Sequence, residues 1–160
     1  MKKIIINKKQ IKYNKKSERW SNEEVENKNR HINLVNMLYL NESFEERKNL
    51  EVELNKKLSN YKQQDKKKNR YNETNFIKLE ELLEKLIISK LKCHYCRHQC
   101  LIFYKNLREK KMWTLDRIDN NIGHNNNNIV ISCLDCNLQK RRRGEEAFKF
   151  MKQMAIKKCE

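Results

Sequence analysis

The chain has 160 residues and a mass of 19.7 kDa, enough for one compact domain with an appendage and too few for two full cores. Mean hydropathy is -1.05 and 36% of residues are charged, so any core is small or reinforced by something other than burial. A formal charge of +16, shared evenly between residues 1–90 and 91–160, and a pI near 9.6 favour a polyanionic partner over a small neutral substrate.

Met1-Lys2-Lys3-Ile4-Ile5-Ile6 opens like a signal peptide, but Asn7-Lys8-Lys9 ends the apolar run far short of an h-region. No stretch approaches a membrane span. The expectation is a soluble intracellular protein, cytoplasmic or nuclear, not secreted and without a membrane partner. In that reducing compartment six cysteines serve as metal ligands or free thiols rather than disulfides.

Residues 1–20 have no sustained period and read as a basic arm or a short strand followed by coil. Ser21-Asn22-Glu23-Glu24 has the form of a capping box, and Val25, Leu34, Val35, Leu38 and Leu40 follow at loose helical spacing. A second box, Ser43-Phe44-Glu45-Glu46, precedes Leu50, Leu54, Leu58 and Tyr61, a one-sided stripe suited to packing. Residues 62–72 lack periodicity and read as a solvated basic linker, closing a helical region over 21–72. Thr74 is then placed to cap a third helix with Leu79, Leu82, Leu83, Leu86 and Ile87 on one face. Beyond it, 101–104 and 112–115 are short strand candidates, 120–128 is an Asn/Gly loop, and 129–131 is a further strand. From Asn137 to about Met154 the pattern is helical, with Leu138, Phe148 and Met151 available for packing. Proline is absent and the only glycines are Gly123 and Gly144, so Asn clusters supply most turns.

Cys93-His94-Tyr95-Cys96 and Cys133-Leu134-Asp135-Cys136 are two C-x-x-C elements. The two-residue spacer lets both thiolates of each face one centre, and two such elements complete a four-cysteine shell for structural Zn2+. A redox pair needs only one such element beside a βαβ pattern, which is missing. His94, His98 and Cys100 are close enough to substitute as ligands, and Cys159 is most simply a free thiol.

Trp113-Thr114-Leu115-Asp116-Arg117-Ile118-Asp119-Asn120, Gly123-His124, Asn128-Ile129-Val130-Ile131-Ser132-Cys133 and Cys136-Asn137-Leu138-Gln139-Lys140 together resemble the HNH endonuclease signature. The resemblance implies a ββα-metal finger, a hairpin and helix gripping one divalent ion, within residues 73–160. The expected fold class is therefore α+β, a helical N-terminal region followed by this zinc-braced finger. Asp116 matches the acid that ligates the catalytic ion, Mg2+ or another divalent cation, and Asn137 matches the helix ligand. Asn128 matches the middle Asn that holds the hairpin in shape, and Lys140 a basic residue that approaches phosphate.

Where most members carry the histidine that deprotonates water, this chain has Arg117, whose guanidinium cannot serve as a base at neutral pH. The resemblance is thus to the D-R-I-D variant. His124 is the preferred substitute base, Asp119 the second choice, and a metal-bound hydroxide with no protein base the third. Arg117 is suited to clamping a phosphate or stabilising transition-state charge. Lys140-Arg141-Arg142-Arg143 continues onto an exposed helix; in isolation such a run is a solvated face or a localisation signal, and beside the phosphate-cleaving site that the resemblance implies it reads as a DNA-backbone contact. The expectation is a DNA endonuclease. The alternatives are a zinc-dependent nucleic-acid-binding protein without catalysis, which Arg117 favours, and an interaction protein whose basic tail only localises it.

Overall fold

A computed structural model describes residues 27–105 and 108–154 of the chain. The basic arm, the Ser21 capping box and Cys159 lie outside the described residues. Among the described residues, five α-helices and one hairpin follow in the order α1 (Lys28–Tyr39), α2 (Arg47–Lys67), α3 (Leu79–Ile88), β1 (Trp113–Arg117), β2 (Ile129–Cys133), α4 (Leu134–Lys140) and α5 (Glu145–Gln153). The class is α+β. No helix among the described residues is long and apolar enough to cross a membrane.

The apolar stripes bury as their spacing dictates, except for Leu40, which falls at the end of α1 and is exposed. Leu34, Val35 and Leu38 of α1, Leu50, Leu54 and Leu58 of α2, and Leu82, Leu83 and Leu86 of α3 join one core with Trp113, Leu115, Ile129 and Ile131 of the hairpin and Phe148 of α5. α1 starts at Asn27, whose Oδ1 accepts from the Arg30 amide at 3.1 Å.

Two expected caps are displaced. Ser43 does not cap α2, which starts four residues later at Arg47 after Glu46. The guanidinium of Arg47 instead closes the α1–α2 turn, donating at 2.6 Å to both Asn41 Oδ1 and the Glu42 carbonyl. Thr74 does not cap α3 either. The helix starts at Leu79, where the Glu81 carboxylate accepts from the Lys78 amide at 2.8 Å, while Asn72 Oδ1 organises the preceding turn through the amides of Thr74 and Asn75.

The expected linker over 62–72 is a larger correction, because α2 continues through Lys67. Beside its leucine stripe runs a polar ridge at four-residue steps that reaches the C-terminal half. Lys57 Nζ donates to the Trp113 carbonyl at 2.5 Å over the indole ring, its pKa lowered to about 7 by burial. Tyr61 Oη accepts from the Leu115 amide at 3.1 Å, and the buried Asp65 binds His124. Lys62–Lys67 are helical because Asp65 has partners inside the fold.

The segment 101–104 is not a strand. Leu101 makes a single bridge to Met112, and Leu101, Ile102 and Phe103 bury as irregular chain. The Ile102 amide donates to His31 Nδ1 of α1 at 3.3 Å, and Phe103 meets the His31 ring edge-on. β1 and β2 pair antiparallel from Trp113↔Cys133 to Arg117↔Ile129, and α4 follows β2 without a linker. The expected helix over 137–154 is broken at Arg141, whose φ of 50° and ψ of -111° leave helical space, and resumes after Gly144. Leu138 and Met151 are exposed as a result, and Phe148 alone of the three packs in the core.

Gly123 lies where the end of α2 meets the hairpin loop: a Cβ there would stand 2.4 Å from the Arg70 carbonyl oxygen and 2.8 Å from Asp65 Oδ2. Gly144 has nothing within 4 Å of such an atom. Gly123→Ala is expected to lower stability in urea unfolding by about 1–3 kcal/mol through overpacking. Gly144→Ala, at a helix N-cap, is expected to cost less than about 1 kcal/mol.

Candidate metal centre and active site

The two C-x-x-C elements come together. The Sγ atoms of Cys93, Cys96, Cys133 and Cys136 all lie within 4.8 Å of one another, with Cys96 and Cys133 at 3.9 Å. Tetrahedral Zn–S bonds of about 2.3 Å separate the sulfurs by about 3.8 Å, so the set fits a metal ion such as zinc. Local backbone builds each half. The first knuckle turns through Arg97, at φ 62°, whose amide donates to the Cys93 carbonyl at 3.0 Å. The second uses the start of α4, where the Cys136 amide donates to Cys133 Sγ at 3.4 Å. The His94 amide donates to the Ile131 carbonyl at 2.8 Å, fastening the first knuckle to β2.

The other candidate ligands stand apart from this quartet. The His94 ring pairs with Glu145 at the start of α5, and His98 is exposed. Cys100 is buried against Cys93, which pushes its thiol pKa up, but it is not among the four converging sulfurs.

Alternation along β1 places Thr114 and Asp116 on one face, and α4 crosses that face. Asn137 Nδ2 donates to Thr114 Oγ1 at 3.0 Å and to the Leu115 carbonyl at 3.2 Å. One turn on, Lys140 Nζ stands 3.2 Å from Asp116 Oδ2 and 2.7 Å from the Arg117 carbonyl. Tyr95 Oη, from inside the first knuckle, donates to the same Asp116 oxygen at 2.5 Å. The amide of Asn137 is thus held by its nitrogen and the carboxylate of Asp116 by Oδ2, leaving each side chain's Oδ1 outside these bonds.

Lys140 corrects an expectation: it is not on an exposed face but wholly buried, where its ammonium balances the buried Asp116. Arg141, Arg142 and Arg143 are exposed, and the Arg141 carbonyl accepts from Asn120 Nδ2 at 2.8 Å, holding the run beside the hairpin loop.

Asn128 ties that loop. Its Oδ1 accepts from the Asp119 amide at 2.9 Å, and its Nδ2 donates to the carbonyls of Asp119 at 2.9 Å and Gly123 at 3.0 Å. Asp119 is exposed and accepts from the Asn121 amide at 2.8 Å. His124 is not in a solvated loop; it is buried between Tyr61, at 4.4 Å between ring centroids, and Asp65, at 2.8 Å from Nδ1. Burial lowers the His124 pKa more than Asp65 raises it, so the imidazole is neutral at physiological pH. Arg117 is half-buried, with Nη1 3.4 Å from the Ile122 carbonyl and 4.0 Å from Asp65 Oδ1.

Tyr95 and Asp65 are not among the residues that the sequence marks as candidates, and Tyr61 is marked only as part of a packing stripe. Tyr95 lies inside the first C-x-x-C element, whose spacing reports on the cysteines alone. Asp65 follows Tyr61 by one helical turn, which was the signal for it. Comparisons with protein-family models, curated proteins and solved structures find no match for this chain.

The sulfur geometry makes three expectations. Elemental analysis of purified protein should return one tightly held metal ion per chain, and Co2+ substitution should give the absorption of a tetrahedral thiolate site. Cys133→Ser, which removes a thiolate ligand while leaving a hydroxyl able to cap the start of α4, should lose the ion and melt at lower temperature than the parent.

Proposed function

We propose that this chain is an HNH-type endonuclease, braced by structural Zn2+, that hydrolyses DNA phosphodiester bonds with Mg2+ or another divalent ion, inside the cell. The observation that carries the reading is the crossing of α4 over β1, with Asn137 on Thr114 and Lys140 on Asp116. This crossing belongs to a hairpin–helix unit enclosed by four converging cysteines.

Asp116 and Asn137 each offer a hard oxygen of the kind a divalent ion prefers, and they are the residues that would hold it. When bound, that ion supplies Lewis-acid charge at the scissile phosphate and the leaving 3′-oxygen. The chain's own residues do the rest. Neutral His124 serves as the base that takes a proton from water. Arg117 adds positive charge next to Asp116 and is suited to a phosphate oxygen. Asn128 holds the loop that carries Asp119 and His124. Arg141, Arg142 and Arg143 meet the DNA backbone through contacts that weaken with salt.

A second reading, a zinc-dependent nucleic-acid-binding protein without catalysis, is favoured by one observation. Tyr95 and Lys140 both engage Asp116 Oδ2, so the carboxylate is already bonded and neutralised. Nicking of supercoiled plasmid in Mg2+ separates the two. The parent is expected to nick, while Asp116→Ala and Asn137→Ala lose about 100-fold or more. Equal rates for all three would assign the activity to a contaminant. DNA retention at low ionic strength without nicking would favour the second reading.

A further inference from the structure

Two carboxylates are buried among the described residues, Asp116 and Asp65, and the motif accounts only for the first. Asp65 stands 59 positions before His124, near the C-terminal end of α2. Its Oδ1 lies 2.8 Å from His124 Nδ1 and its Oδ2 accepts from the His124 backbone amide at 2.6 Å, so one carboxylate grips both ring and backbone. Gly123 leaves room for this grip, and Tyr61 covers the ring. The charged groups that act on the imidazole are Asp65, Arg117 and Asp116.

A carboxylate only accepts hydrogen bonds, so the proton of a neutral imidazole has to sit on Nδ1. The lone pair is then on Nε2. We propose that Asp65 is a positioning residue for the hydrolysis assigned above: it fixes His124 as the Nδ1–H tautomer and presents Nε2 as the base. The inference rests on the endonuclease reading and makes α2 part of the active site. In the step served, the water oxygen bonds to phosphorus and its proton passes to Nε2. The bond to the 3′-oxygen breaks, and that oxygen takes a proton from solvent. The imidazolium formed is balanced by Asp65, the same carboxylate that oriented the ring.

Asp65→Asn is the diagnostic change. The His124 amide still requires an acceptor, so the new side chain turns its oxygen there and its NH2 toward Nδ1, which forces the proton onto Nε2. In plasmid nicking, Asp65→Asn is expected to lose about 100-fold or more with metal content and melting temperature retained. The double variant with His124→Ala should be no slower than His124→Ala alone. Long-range proton–nitrogen correlation spectra of the parent at neutral pH, without DNA, should show His124 protonated on Nδ1. An Nε2-protonated ring, or losses that add in the double variant, would overturn the role of Asp65. An active parent with a fully active Asp65→Asn would overturn that role alone, whereas a parent that leaves the plasmid intact would overturn the endonuclease reading with it.

Discussion

Four sulfurs drawn from two ends of a long excursion of chain set the geometry of everything C-terminal to α3. Cys96 and Cys133 are 37 positions apart, yet their sulfurs lie at 3.9 Å. Cys133 is at once a member of the quartet, the last residue of β2 and the N-cap of α4. Fixing that one residue therefore fixes the direction in which α4 leaves the hairpin, and hence which of its side chains cross β1. In a chain with so little apolar material, a bound ion contributes folding free energy that the small core does not have to supply.

Buried charge supplies the second layer of organisation. Lys140 with Asp116, and Asp65 with His124, are each largely buried and each joins two different elements. Leaving one member of such a pair alone is costly, so the arrangement disfavours any slip of α4 along β1 or of α2 along the hairpin loop. The same contacts put the polar ridge of α2, Lys57, Tyr61 and Asp65, along the finger from Trp113 to His124. The N-terminal helices are thereby part of the structure that shapes the candidate site.

The sequence was informative where periodicity or spacing is strict. The C-x-x-C pairs met, Leu50, Leu54 and Leu58 buried, and residues near 113 and 129 formed paired strands. It was misleading where a polar residue does a core residue's work. Asp65 continues the α2 face but has no hydrophobic signal, so Lys62–Lys67 resembled linker. Lys140 stood first in a basic run, and only the fold distinguishes it from the exposed Arg141, Arg142 and Arg143. The break at Arg141 is invisible to composition, since a non-glycine residue takes the positive φ. Arg117 and His124 are visible in sequence as a departure and a substitute, but the carboxylate that links them spatially comes from α2, outside the hairpin.

The claim on which catalysis depends is a second ion beside the hairpin, held by Asp116 and Asn137 and separate from the cysteines. Anomalous diffraction from crystals grown with Mn2+ addresses it directly. Two peaks are expected, one at the zinc edge among the four sulfurs and one at the manganese edge between the Asp116 and Asn137 oxygens. A full zinc peak with no manganese there, and Lys140 still seated on Asp116, would contradict it.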